Sequence, residues 1–351
     1  MIRVARFTLA AVIGAALVGC NDERRLVGTD QTISAAGAGG PAMSRQIDET
    51  GPLVLHVVAP QATDAAISGG FGDHYVWLDP AARGNPKLFV FMPGTRNVPS
   101  SWQRLEQEAA RLGYHVIGLA YQNEVEVIGV CTGSTDLDCS GKMRMEIIDG
   151  IDRSSFVNVT TANSIDNRLT KLLLYLDAQF PDEGWSRFLE DGAPKWSQIA
   201  VSGQSQGAGQ AALIGLLRHV DRVVMFSGPP DARVVGEVDS WIGIGETPAS
   251  KYFALFHQRD HVAAGIQQNL PAFDLLRFGE PVFAELSEPP YGGTHILTTD
   301  LRPTLGYDRP NAHQSTARDN NTPIGPDGAP LLRAAWRYLL GEPPHGGADD
   351  Q

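Results

Sequence analysis

The stretch Gly203-Gln204-Ser205-Gln206-Gly207 is where residue types and spacing point most directly to covalent chemistry. A serine hydroxyl is a weak nucleophile until a base removes its proton, so its surroundings matter more than its presence. With 38 glycines in 351 residues, a G-x-S-x-G pentapeptide arises by accident in about one chain in four to ten. Context therefore decides. The run Gln198–Ser202 reads as a buried strand, and Gln206–Arg218, rich in Ala and Gly, reads as a helix. Between them, two glycines let the chain turn sharply and let strand and helix approach closely. The hydroxyl is then presented at the helix N-terminus, the setting an acyl-transfer nucleophile requires. The alternative is a Gly/Ser turn without chemistry.

The elements that must position this serine follow from apolar patterning. Short apolar runs bounded by Pro, Gly and Asp predict strands at Leu53–Ala59, His74–Leu78, Lys87–Met92, Tyr114–Ala120, Gln198–Ser202, Arg222–Phe226, Tyr252–Phe256 and His295–Thr299. Helical spacing appears from Trp102 to Leu112, over residues 163–180, over Gln206–Arg218, and after Pro330, where Leu332, Ala335, Trp336 and Leu339 share a face. From Lys87 onward strand and helix alternate, whereas the leading strands follow one another directly. That order describes an α/β protein: a mostly parallel central sheet with helices on both faces and an antiparallel start, folded as one domain over residues 51–345.

With these motifs in place the chain resembles the α/β-hydrolase fold over roughly residues 53–341. The Gln206-Gly207 pair after the serine is also similar to the cutinase elbow, as a local match. The resemblance implies a serine hydrolase with a triad in the order nucleophile, acid, histidine. Asp260, which follows the strand Tyr252–Phe256 and His257-Gln258-Arg259, takes the acid position, with Asp231 after Pro229-Pro230 as runner-up. Of nine histidines, only His295 and His313 follow the penultimate strand with chain to spare. His313, in a Pro/Asn/Asp-rich loop before the last helix, is the expected base, and His295, at the start of the last strand, the alternative. The expected oxyanion donors are the backbone N–H groups of Gln206 and of Thr95, in a Pro93-Gly94-Thr95 turn similar to the family's His-Gly-x turn. Trp102, Tyr121 and Tyr291 are candidates to line the pocket or simply to pack.

Composition narrows the alternatives. Apolar residues at 42% and charged residues at 19% exclude a disordered chain and a coiled coil. The net charge of −12 argues against nucleic acid and against polybasic docking on anionic lipid. His257, Asp260 and His261 carry ligand-type atoms, but on a strand-to-loop segment rather than in a helical H-E-x-x-H, so no metal is expected. There is no G-x-x-x-x-G-K-[ST] loop and no G-x-G-x-x-G after the first strand, so no cofactor is expected either. The expected partner is a small-molecule or polymer ester. The competing class is a non-catalytic surface lipoprotein that uses the same fold for binding or envelope structure.

The N-terminus bears on compartment. Arg3 and Arg6 precede thirteen uncharged residues, Phe7 to Gly19, ending Leu17-Val18-Gly19-Cys20. The run is short for a membrane span and has the anatomy of a secretory signal. Its end resembles the lipobox of bacterial lipoproteins, which implies cleavage after Gly19 and a lipid anchor on Cys20. Residues 1–19 form the signal and 20–50 a small, polar tether containing Ala35-Ala36-Gly37-Ala38-Gly39-Gly40. An exported, anchored protein meets an oxidising compartment. Cys131 and Cys139, in a Gly/Ser/Asp-rich loop, are accordingly expected to pair.

Overall fold

The computed structural model describes residues 51–82, 85–234 and 236–342. The expectations for residues 1–50, including Cys20, lie outside the described residues, as does the end of the expected domain at 343–345. In chain order the described strands are β1 (Val54–Val58), β2 (His74–Leu78), β3 (Leu88–Met92), β4 (His115–Gly118), β5 (Leu189–Glu190), β6 (Ala193–Pro194), β7 (Ile199–Gln204), β8 (Arg222–Phe226), β9 (Tyr252–His257), β10 (Val282–Phe283) and β11 (Ile296–Thr299). The described helices are α1 (Pro60–Thr63), α2 (Gln103–Arg111), α3 (Val127–Cys131), α4 (Cys139–Asp149), α5 (Ile165–Gln179), α6 (Gln206–Leu217), α7 (Ala263–Asn269), α8 (Arg309–Gln314) and α9 (Arg333–Leu339).

Nine strands form one sheet in the order β1-β2-β4-β3-β7-β8-β9-β11-β10. The β1–β2 and β2–β4 pairs are antiparallel, and every later pair is parallel. The central strands are continuous apolar runs because both faces are covered. In β3, Leu88, Val90 and Met92 pack with Leu169 and Leu173 of α5 and Ala211 of α6. The alternate residues Phe89 and Phe91 pack with Leu105 of α2 and Trp336 of α9 on the other face. This two-residue alternation puts helices on both faces of the sheet, and the strand order, antiparallel only in its first two pairings and with the serine turn after the central strand, is that of the α/β-hydrolase fold. Among the described residues no helix is long and apolar enough to cross a membrane.

Two connections differ from the sequence reading. The segment holding Cys131 and Cys139 is not a plain loop: Cys131 ends α3 and Cys139 opens α4, and a disulfide joins them with Cα atoms 5.5 Å apart. His313 lies in the last turn of the short helix α8 rather than in loop, with Asp308 capping that helix by accepting from Asn311 N–H. Asp308 followed by Arg309-Pro310 is an N-cap and first-turn signature that marks this start.

Candidate active site

Ser205 sits between β7 and α6 with φ 57° and ψ −116°, a conformation L-residues rarely adopt. Such a backbone costs about 1–3 kcal/mol and persists only where its surroundings hold it. Here Ser205 N–H donates to Phe226 O at 2.9 Å, and its carbonyl accepts from Gly209 N–H at 3.2 Å. The flanking glycines are required by contact. A Cβ on Gly207 would overlap the Met92 carbonyl, and one on Gly203 would overlap Gly207 itself. The Ser205 hydroxyl makes no hydrogen bond to another described residue and is half-buried.

Asp260 follows β9 and is buried. Its Oδ1 accepts from Val262 N–H at 2.9 Å, and its Oδ2 lies 2.7 Å from His313 Nδ1. A buried carboxylate facing Nδ1 stabilises the tautomer with its proton there and leaves Nε2 as the proton acceptor. His313 is placed beside the serine turn by its own backbone: Gln204, next to Ser205, donates its side-chain Nε2 to the His313 carbonyl at 3.1 Å. Asp260 and His313 thus meet side chain to side chain, and the His313 backbone lies against Gln204, the residue before Ser205, beyond the carboxyl ends of β7, β9 and β11.

The alternatives are engaged elsewhere. His295, at the opposite end of β11, is stacked between Phe253 and Phe278 and bonds Tyr252 O through Nδ1 at 2.9 Å. Burial lowers its pKa to about 4. Asp231 is held by Arg144 in a buried bidentate pair at 2.6 and 2.5 Å, and also accepts from Trp241 Nε1 at 2.9 Å. His257 is saturated, with Nε2 at 3.0 Å from Leu301 O and Nδ1 accepting from Arg259 N–H. The ligand-type atoms that do converge are those of Asp260, His261 and His313, all within 4.8 Å of one another. His313 takes the place of His257 in that set. His261 Nδ1 is 3.4 Å from Asp260 Oδ1, so one carboxylate faces two imidazoles. Trp102, Tyr121 and Tyr291 belong to the core rather than to a pocket: all three are buried, and burial raises the Tyr121 and Tyr291 phenols, Tyr291 to about 12.

Thr95 and Gln206 are brought side by side. The Pro93-Gly94-Thr95 turn is pinned by Tyr121 Oη donating to Pro93 O at 2.8 Å and by Asn123 Nδ2 donating to Gly94 O at 2.7 Å. Thr95 Oγ1 then donates to Gln206 Oε1 at 2.8 Å. Both residues and Ser205 line one small cavity, and neither backbone N–H is engaged by another described residue. Two residues absent from the sequence reading complete this arrangement. The buried Arg144 of α4 donates to the Gln206 carbonyl at 2.8 Å, and the Gln206 side chain accepts from Val127 N–H of α3 at 3.3 Å. Nothing in the local sequence marks Arg144, because its partners lie 62 and 87 residues away.

No family model matches the chain, and no curated protein matches it. Among solved structures, a bacterial heroin esterase aligns over 73% of this chain and 76% of that one, at 14% identity and a TM-score of 0.36. Values that low transfer nothing from that protein to this chain.

Proposed function

We propose that this protein is a serine hydrolase of an ester or related acyl bond. The observation that carries the reading is the 2.7 Å contact of His313 Nδ1 with the buried Asp260 carboxylate, beside a serine in a strained strand-to-helix turn. In this reading Ser205 Oγ attacks the acyl carbon while His313 Nε2 takes its proton, and Asp260 stabilises the imidazolium. The tetrahedral oxyanion accepts hydrogen bonds from the Gln206 and Thr95 N–H groups. Collapse expels the alcohol, which takes the proton from His313, and water then attacks the acyl-enzyme by the reverse roles. The substrate is an ester, and every step is carried by the chain's own residues and water. Labelling with a fluorophosphonate tests the reading: wild type is modified on Ser205, and Ser205→Ala is neither modified nor active. A folded wild-type chain that resists the probe and hydrolyses no ester would instead favour a binding lipoprotein.

The same proposal places the domain outside the cytoplasm, anchored to the bacterial cell envelope through lipid on Cys20. Its support is the Leu17-Val18-Gly19-Cys20 sequence and a disulfide, a bond that persists in oxidising compartments. Expressed in a bacterium, the wild type should partition into detergent and Cys20→Ser into the aqueous phase. Equal partitioning of the two would remove the anchor from the reading.

A further inference from the structure

The second imidazole at Asp260 has no part in the triad. His313 Nδ1 lies 2.7 Å from Asp260 Oδ2, a hydrogen bond, whereas His261 Nδ1 stands 3.4 Å from Asp260 Oδ1. The latter is longer than N–H···O bonds usually are. It is, however, the spacing of two ligands on one ion: atoms about 2.0–2.1 Å from a tetrahedral zinc stand about 3.4 Å apart. One ligand-type atom from each of Asp260, His261 and His313 falls within 4.8 Å of the others. Two imidazoles and a carboxylate, with one position left to water, are a donor set that zinc takes. Arg259, the cation next in sequence, is held on Asp300 at 2.6 and 3.0 Å rather than on Asp260. Burial is graded across the group, the side chains being 0% exposed at Asp260, 12% at His313 and 43% at His261. An ion therefore has its anionic ligand below it and its entry on the His261 side. The widest spacing must close from 4.8 Å to about 3.4 Å. That movement is open to the half-exposed His261 ring, which makes no hydrogen bond to a described residue.

What such an ion would do follows from the tautomer. In the triad the single proton of the neutral His313 ring sits on Nδ1, against Asp260, and Nε2 keeps its lone pair. A zinc ion on Nδ1 occupies the lone pair there, so the ring's proton must reside on Nε2, which it reaches by exchange with water. The ring gains and loses no proton overall. Its Nε2 is then a donor and has no lone pair with which to accept the Ser205 proton.

We infer that Asp260, His261 and His313 form an inhibitory zinc site, which switches the hydrolase off by locking His313 in the wrong tautomer. The inference rests on His313 being the catalytic base. In its test, the EDTA-treated full chain, wild type and His261→Ala, is titrated with zinc chloride. Binding is followed by calorimetry and ester hydrolysis in parallel, each rate being taken relative to the same protein without metal. The wild type should bind one ion and lose activity in step with binding. His261→Ala should need at least about a hundredfold more zinc for the same loss, since even groups behind a metal ligand are worth about 10- to 100-fold in affinity. Magnesium and calcium, which take oxygen ligands, should leave the wild type active at the same concentrations. Equal zinc inhibition of the two proteins, binding without loss of activity, or no binding overturns the inference while leaving the hydrolase reading standing. A metal-free wild type that is inert to esters and unlabelled by a fluorophosphonate overturns the hydrolase reading and the inhibition with it, and the calorimetry then decides the ion site by itself.

Discussion

His313 Nδ1 and Asp260 Oδ2 meet at 2.7 Å although the residues are 53 positions apart. The contact exists because β9 and β11 are parallel neighbours, with Thr299 registered against His257, so both chains leave the sheet at the same edge. If His313 is the base, His313→Ala should lower kcat by about 10³-fold or more with little change in Tm. Asp260→Asn should cost nearly as much, because the amide presents its own N–H to Nδ1 and favours the wrong tautomer. His295→Phe should keep the wild-type rate per folded molecule. A dead, folded His295 variant beside an active His313 variant would exchange the two roles.

The Arg144–Asp231 pair leads to a stability prediction. Both side chains are 1% exposed, and the guanidinium also holds the Gln206 carbonyl. Arg144→Leu strands a buried carboxylate and should destabilise the fold by about 3–5 kcal/mol, read from urea unfolding. Arg144→Leu with Asp231→Leu removes both charges together and should recover much of that loss. A double variant no better than the single would mean that the cost lies in packing rather than in the unpaired charge.

The disulfide closes a short loop, at a sequence separation of 8. Reduction should lower stability by about 2–3 kcal/mol through loop-closure entropy. Alkylation of the unreduced, unfolded chain followed by mass spectrometry should find Cys131 and Cys139 unmodified. Two alkylated thiols would reject the bridge.

What was legible in the sequence and what was not divides along physical lines. Parallel strands buried on both faces are apolar runs, so β3, β7, β8 and β9 stand out within a residue or two. The helix α4 does not, because it is buried on nearly every side and shows no apolar stripe: Arg144 and Glu146 are inside with Met143 and Ile147. Glu146 is accommodated there by accepting from the backbone N–H groups of Arg153, Ser154 and Val159. Asp231 and Asp260 look alike in sequence, each following a strand. They are told apart by Arg144 on one side and His313 on the other, both distant in the chain. The two-residue edge strand β10 is too short to carry a periodicity.

Acid stability also separates His295 from the residues at the serine turn. Burial between Phe253 and Phe278, with Arg222 adding repulsion, lowers the folded-state pKa of His295 from 6.5 to about 4. Between those values the unfolded chain holds a proton on this ring that the folded chain does not. Stability from this group is therefore complete above pH 6.5 and falls as the pH drops toward 4. A tenfold difference in proton affinity between the folded and unfolded chain is worth about 1.4 kcal/mol, so the loss approaches about 3 kcal/mol at pH 4. Asp166 and Asp319, raised to about 6 by burial, act in the opposite sense: their folded forms keep a proton from pH 3.8 to 6, which favours the fold on the acid side. His74, lowered to about 3 by burial, acts in the same direction as His295. All three are common to wild type and His295→Phe, so the difference between the two proteins isolates His295. Near pH 7.5 the phenylalanine variant should be about 1 kcal/mol less stable, having lost the Tyr252 carbonyl bond. Near pH 4.5 that order should reverse, because the phenylalanine has no proton to exclude. Urea midpoints at the two pH values measure this directly, and curves that stay parallel would show that His295 is not held neutral by the fold.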